Sequence, residues 1–169
     1  TQQTYDAGTP YEYTPRNYEQ EYYGDLTARF ALMRSDNNAT ISLASMVGFD
    51  NVAALARSAG VKNARGTPSM AIGSYDATPL DMAGAYTVFA NGGVHIDPWM
   101  LASVRTPTGD VMTDYTPATR QVLDPRVAYL TTNMMEAVLQ GNGSDGCMIG
   151  GRDYCGTGAG VRNMGFLAP

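Results

Sequence analysis

Four polar residues in a row, Ser35-Asp36-Asn37-Asn38, interrupt an otherwise apolar stretch. Phe30 to Met33 lie on one side of them, and Ala39, Ile41, Leu43, Ala44, Met46 and Val47 on the other. The flanks read as two helical segments that the polar residues break, so a tight junction is expected between them. A hydroxyl and a carboxamide fixed between two buried helices would make a site on rigid elements, at the edge of a cleft. The same residues have a purely structural use, because Asp and Asn are preferred helix N-caps and Asp36 or Asn37 can simply start the second helix. His95 beside Asp97 has acid–base character, but the chain has one histidine and no nucleophile in register with it, so catalysis is not expected there. Met134-Met135 reads as core filler rather than as a ligand pair.

Cys147 and Cys155 lie eight apart in a glycine-rich stretch and either close a short disulfide loop or remain two thiols. With a single histidine a zinc site is improbable. Seven glycines fall between Gly141 and Gly158, yet no Gly-x-x-x-x-Gly-Lys-Ser/Thr pattern is present, so a phosphate cradle is rejected. No cofactor is expected.

The elements that must position these residues follow from caps and stops. Asp25 or Thr27 starts a helix ending near Met33, and a second runs from about Asn38 to Val47, where Gly48 stops it. Asp50 is expected to cap a third, Asn51 to Ala59, with Gly60 in the C-terminal position. Thr78-Pro79 with Asp81 is a strong helix start, and Asn91-Gly92-Gly93 a clear stop. Leu101 to Arg105 and Val111 to Tyr115 flank a Gly-containing turn and read as a β-hairpin. Asp124-Pro125 opens a last long helix, Arg126 to Leu139, with Val127, Leu130, Met134 and Val138 on one face. Residues 1 to 25 hold six of the eleven tyrosines among prolines and glycines. They read as an extended segment packed on a body, its rings either buried with wet hydroxyls or free to stack on a ligand.

At 169 residues the chain can build one domain with a real core or a large piece of one. Hydrophobic residues at 44% against 16% charged favour a globular chain over disorder. A net charge of -5 with no basic run argues against a nucleic-acid surface. No run approaches the roughly 18 apolar residues of a membrane span, and no signal peptide opens the sequence.

Two stretches carry a family resemblance. Ala31-Leu32-Met33-Arg34 and Ala39-Thr40-Ile41-Ser42-Leu43-Ala44 frame Ser35-Asp36-Asn37. Pro68 to Ala83, with Thr78-Pro79-Leu80, continues through Ala85-Tyr86 to Phe89-Ala90-Asn91-Gly92-Gly93. Together they resemble the penicillin-binding transpeptidase fold, in particular class A (bifunctional) penicillin-binding proteins. Ser-Asp-Asn is also the triplet of class A β-lactamases, but the Phe-Ala-Asn-Gly-Gly context favours a penicillin-binding protein.

The resemblance implies an α/β (α+β) fold, here a mostly helical part of it with a β-hairpin, expected to be incomplete. Residues 1–25 would form the tyrosine-rich extended segment, 26–140 a helical subdomain with the hairpin, and 141–169 a Gly-rich loop leading to an absent Lys-Thr-Gly strand. In the family, acyl transfer uses a Ser-x-x-Lys helix, a Ser-x-Asn junction and a Lys-Thr-Gly strand. The one lysine here, Lys62, has Ala59 three residues before it, so no Ser-x-x-Lys exists in this sequence. Gly156-Thr157-Gly158 is similar to the turn before the Lys-Thr-Gly strand, which would place the end of the chain just ahead of that motif and make residues 141 to 154 an insertion.

By resemblance, Ser35 would relay a proton towards the leaving group. Asn37 would donate its amide to the substrate's backbone carbonyl and help hold the catalytic lysine, with Asp36 supporting. The implied partners are the D-Ala-D-Ala end of peptidoglycan stem peptides and β-lactams, met outside the cytoplasm, with any membrane anchor in the parent protein. Alone, the chain would be inactive and its uncovered apolar faces prone to associate, a complementing chain being one expected partner. The alternative is a non-catalytic module that binds a peptide or cell-wall partner through its tyrosines.

Overall fold

The computed structural model describes residues 2–18 and 20–139, and the backbone of 148–149 and 152–153. Cys147, Cys155 and the Gly-Thr-Gly turn lie outside them. Among the described residues four helices, α1 (Ala28–Met33), α2 (Asn37–Val47), α3 (Phe49–Ser58) and α4 (Pro79–Ala90), come first, and short strands then lead to α5 (Pro125–Glu136). β1 (Val94–Ile96) pairs antiparallel with β4 (Thr119–Gln121), and β2 (Ser103–Arg105) with β3 (Val111–Asp114). A two-residue ladder joins β5 (Met148–Ile149) to β6 (Arg152–Asp153). The architecture is the mixed, mainly helical one expected, with small two-stranded sheets.

Most helix ends obey their caps. Thr27 Oγ1 accepts the Phe30 N–H of α1 at 3.2 Å. Thr78 Oγ1 accepts the Asp81 N–H at 3.1 Å and donates to Asp81 Oδ2 at 2.8 Å, holding the Asp81 carboxyl below its ordinary pKa. Asp124 Oδ1 accepts the Arg126 N–H at 2.9 Å at the start of α5. The α3 expectation needs correction: the helix opens two residues earlier on Gly48, whose φ of +93° turns the chain through 94° between α2 and α3. Asp50 therefore falls in the first turn and makes no cap, its carboxylate packing instead against the backbone of Gly66. The last helix is shorter than expected, tightening to a 3-10 turn at Ala137–Leu139.

The interior is thin and built from small side chains. Ile41, Val88 and Pro15 are the largest fully buried residues, joined by Ala53, Ala128 and Ala137. Arg29 on α1 clamps α5 by donating to Asn133 O and Oδ1, both at 2.9 Å. On α5 the stripe expected to face the core is turned outward in its first half, where Val127 and Leu130 lie exposed and Ala128 is the buried contact. Apart from Asp81, α4 is built of uncharged residues on every face. It exposes Leu80, Met82 and Tyr86 while burying Ala85 and Val88, as a helix does when further surface is available for packing. Among the described residues no single helix is long and apolar enough to cross a membrane.

Candidate functional site

The junction between α1 and α2 is two capping devices fused end to end. At the close of α1 the Ser35 N–H reaches Leu32 O at 3.1 Å and the Asp36 N–H reaches Ala31 O at 2.9 Å. This is the Schellman pattern, whose penultimate residue must be left-handed and is usually glycine. Here it is Ser35, at φ +54°. A serine in that conformation costs roughly 1 kcal/mol relative to glycine, because its Cβ crowds the following carbonyl. The side chain so placed is exposed to solvent.

Asp36 closes α1 and at once caps α2. It is buried, and its Oδ1 accepts the Ala39 N–H at 2.8 Å. The remaining amides of the first turn go to a residue twenty positions upstream. Asn17 Oδ1 accepts from Asn37 N at 3.0 Å, Asn38 N at 3.3 Å and Asn38 Nδ2 at 3.0 Å. Its Nδ2 donates to Asp36 Oδ2 at 2.9 Å and Glu21 O at 2.7 Å. With Asp36 N on Ala31 O, all four N–H groups that a helix start leaves without an intrahelical partner are satisfied. Asn37 Nδ2 donates to Arg16 O at 2.8 Å. A primary amide has two N–H donors and an acceptor oxygen, so one N–H fixes the rotamer and chemical capacity remains.

Ser35, Asp36 and Asn37 thus come together as expected from one junction, but with unequal surroundings. Asp36 is a buried structural carboxylate, as the capping alternative held, whereas Ser35 projects outward. Asn17 was not legible as part of this site: the signal was only its place after buried Pro15 in an extended segment, and its partners lie 19 to 21 residues on.

A cavity of about 670 Å³ opens beside the junction, between Tyr22 and Tyr23 of the N-terminal segment, Leu32 on α1, Leu43 and Met46 on α2 and Met134 on α5. Asp36 and Asn38 line it, and Asn38 Oδ1 is buried without a hydrogen-bond partner among the described residues. Ser35 and Asn37 do not line this cavity. The tyrosines divide: Tyr5 is buried edge-on to Phe49 and Tyr23 stands edge-on to Phe30, while Tyr11 and Tyr18 are 80% and 99% exposed.

The other polar centre is built for locking. His95 on β1 faces Arg120 on β4, and both meet Asp97 Oδ1, at 2.9 and 3.1 Å. Arg120 and then His95 hold the Asp97 carboxyl below its ordinary pKa. Arg120 Nε also donates to Ser58 O at 2.8 Å, tying the end of α3 to the sheet. His95 is 2% exposed, and its imidazole fills a slot between Gly60 and Gly84, as a closed structural contact does. Lys62 pairs with Asp81 across 3.5 Å, and the nearby Ser58 hydroxyl donates to Leu55 O, so the lysine and this serine form no nucleophile–base pair. No cluster of metal-ligating side chains occurs among the described residues.

Residues 1–156 match the family model described as the penicillin binding protein transpeptidase domain. Penicillin-binding protein 1A of Aquifex aeolicus is 32% identical over 135 residues, which cover 80% of this chain and 19% of that protein. Penicillin-binding protein 1B of Vibrio cholerae is 35% identical over 134 residues, 78% of this chain and 17% of that one. Among solved structures, penicillin-binding protein 1A from Haemophilus influenzae has a TM-score of 0.78 at 20% identity, covering 96% of this chain and 28% of that chain. Penicillin-binding protein 3 from Mycobacterium tuberculosis, complexed with aztreonam, has a TM-score of 0.73 at 22% identity, covering 87% of this chain and 36% of that one. At such identities the structural likeness speaks to the fold. The chain spans about a fifth of the length of the curated relatives it matches.

Proposed function

Since the chain belongs to the penicillin-binding protein transpeptidase family, we propose that it supplies Ser35 and Asn37 to the active site of a serine D,D-transpeptidase that cross-links peptidoglycan and is acylated by penicillin. The observation that carries this reading is the serine at the left-handed position of the α1–α2 junction. It is kept there at a conformational cost, with its side chain exposed and its neighbours' backbone fully hydrogen-bonded.

In the reaction, a serine hydroxyl from outside these 169 residues attacks the carbonyl of the penultimate D-Ala. The catalytic lysine takes the attacking hydroxyl's proton, the bond to the terminal D-Ala breaks, and the Ser35 hydroxyl relays that proton from the lysine to the departing amine, giving up one and taking up one. Asn37, anchored through one N–H, offers its other N–H to the substrate's backbone carbonyl and its oxygen to the amine of the catalytic lysine. Asp36 acts through geometry alone. The work is done outside the cytoplasm, where stem peptides ending in D-Ala-D-Ala are presented. Residues 1–25, 26–140 and 141–169 are, on this reading, the lead-in segment, the helical subdomain carrying the junction, and the approach to the Lys-Thr-Gly strand.

The test is the mass of the protein with and without excess penicillin. The 18.0 kDa chain takes no adduct, whereas the complete natural protein takes one that Ser35→Ala slows at least roughly a hundredfold. A penicilloyl adduct on the 169-residue chain would refute the assignment of the nucleophile elsewhere.

The exposed rings of Tyr11 and Tyr18 favour a second reading, a non-catalytic module that holds a cell-wall peptide or glycan against the N-terminal segment. Saturable binding of a soluble stem peptide to the chain, lost in Tyr11→Ala/Tyr18→Ala and indifferent to Ser35→Ala, would replace the first reading by this one.

A further inference from the structure

We propose that Asn17 is a positioning residue for acyl transfer: its carboxamide fixes the start of α2 against the Arg16–Glu21 segment, and so sets where the Asn37 side chain and the Ser35 hydroxyl stand. The inference rests on the function proposed above for that pair. The carboxamide can sit in one orientation only, because two backbone N–H groups need its oxygen while a carbonyl and a carboxylate need its NH₂. It is nine-tenths buried and joins two pieces of chain, its own segment at Glu21 and the junction at Asp36 to Asn38, with five hydrogen bonds.

What Asn17 supplies differs from what Asp36 supplies. Asp36 caps α2 locally, through the Ala39 N–H and through its own carbonyl, which accepts the Thr40 N–H at 3.1 Å. The helix therefore starts without Asn17. Its distance from the segment before it is then held less tightly, because the Asn17 bonds are lost and the Arg16 carbonyl, which takes Asn37 Nδ2, is left to hold this end. Pro15, fully buried, pins the other side of the same turn. A shift of about 1 Å in a positioned group costs a reaction up to roughly a hundredfold, so loss of these ties would register in chemistry before it registers in folding.

The experiment uses the complete natural protein that carries this chain. It compares the acylation rate by a fluorescent penicillin and the melting temperature for wild type, Asn17→Ala, Asn17→Asp, Asn17→Asp/Asp36→Asn and Ser35→Ala. Asn17→Ala should acylate roughly 10- to 100-fold more slowly at temperatures where it is fully folded. Asn17→Asp sets two carboxylates side by side, which share a proton in acid and repel when both ionise. Its rate should therefore fall further below wild type as the pH is raised from acid to alkaline, by more than roughly tenfold across that range. The double variant restores a donor facing an acceptor at position 36 but not at the Glu21 carbonyl, so it should recover part of the rate and remove most of its pH dependence.

If the Asn17 variants acylate like wild type when folded, or lose rate only in step with the folded fraction, the inference is wrong while the Ser35 reading stands. If Ser35→Ala acylates like wild type, the function proposed above fails and this inference with it.

Discussion

The ends of α1 and α3 are the same backbone device with opposite contents. In α1 the Ser35 and Asp36 N–H groups reach back to Leu32 and Ala31. In α3 those of Gly60 and Val61 reach Arg57 and Ala56, at 3.0 and 2.9 Å. The left-handed position holds glycine in α3, at φ +111°, and serine in α1, at φ +54°. At α3 the space above the glycine is filled by His95, which a Cβ there would meet at 3.0 Å. At α1 the space is open and a hydroxyl occupies it. Polar side chains surround both ends, and each cluster is extensively bonded yet keeps one buried atom, Asn38 Oδ1 or His95 Nδ1, without a partner among the described residues, so hydrogen bonding and burial do not tell function from structure. The proposed role of Ser35 rests instead on a side chain kept where the backbone prefers none.

This contrast can be broken or sharpened. The largest effect belongs to Ser35→Ala in the complete protein, which should cut penicillin acylation by at least about a hundredfold with the melting temperature unchanged; an unaffected rate would make the two helix ends equivalent. Next is His95→Ala, which empties a closed slot and strands the bond to Asp97. It should cost about 2–4 kcal/mol in denaturant unfolding, while the protein that remains folded acylates normally.

The mirror substitution Gly60→Ser puts the α1 arrangement into α3. It should cost about 1–3 kcal/mol by the same measurement, since its Cβ meets the imidazole in a backbone region serine avoids. Ser35→Gly should do the reverse and stabilise by about 0.5–1 kcal/mol while losing acylation as fully as the alanine variant.

The smallest effect concerns pH. The Asp97 pKa is depressed in the folded state, chiefly by Arg120 and then by His95. Its contribution to stability is therefore present above the ordinary carboxylate pKa and lost as the pH falls through the folded value. In melting curves taken from neutral to acid pH, Arg120→Ala should sit below wild type at neutrality, and the gap should narrow in acid to what the Arg120–Ser58 bond contributes.

How much was legible in the sequence depended on distance along the chain. Helix starts at Thr27, Thr78-Pro79 and Asp124-Pro125, the stop at Gly48 and the β2–β3 hairpin are set by residues within a turn of one another. Asp36 was legible as a cap for the same reason. Asp50 misled because Gly48, free to turn sharply, opened α3 before the aspartate could. The β1–β4 pairing was missed since its strands are three residues long and 25 positions apart, too short for an alternating pattern. Asn17 and the slot that receives His95 depend on partners far along the chain, and no local spacing announces them. The family was legible, since the junction and the Thr78 to Gly93 helix occur together, and residues 1–156 match its transpeptidase domain.

Asp36 closes one helix and opens the next, so α1 and α2 are joined with no spare residue between them. Length at this point is as constrained as identity. An inserted or deleted residue would swing everything beyond it by about 100° around the helix axis, carrying Asn37 away from Arg16 and Ser35 away from its post. The five-residue turn Thr106–Asp110 can absorb such changes. Among variants of this protein, length polymorphism should gather in that turn and be missing from residues 28 to 47, even where single substitutions are common.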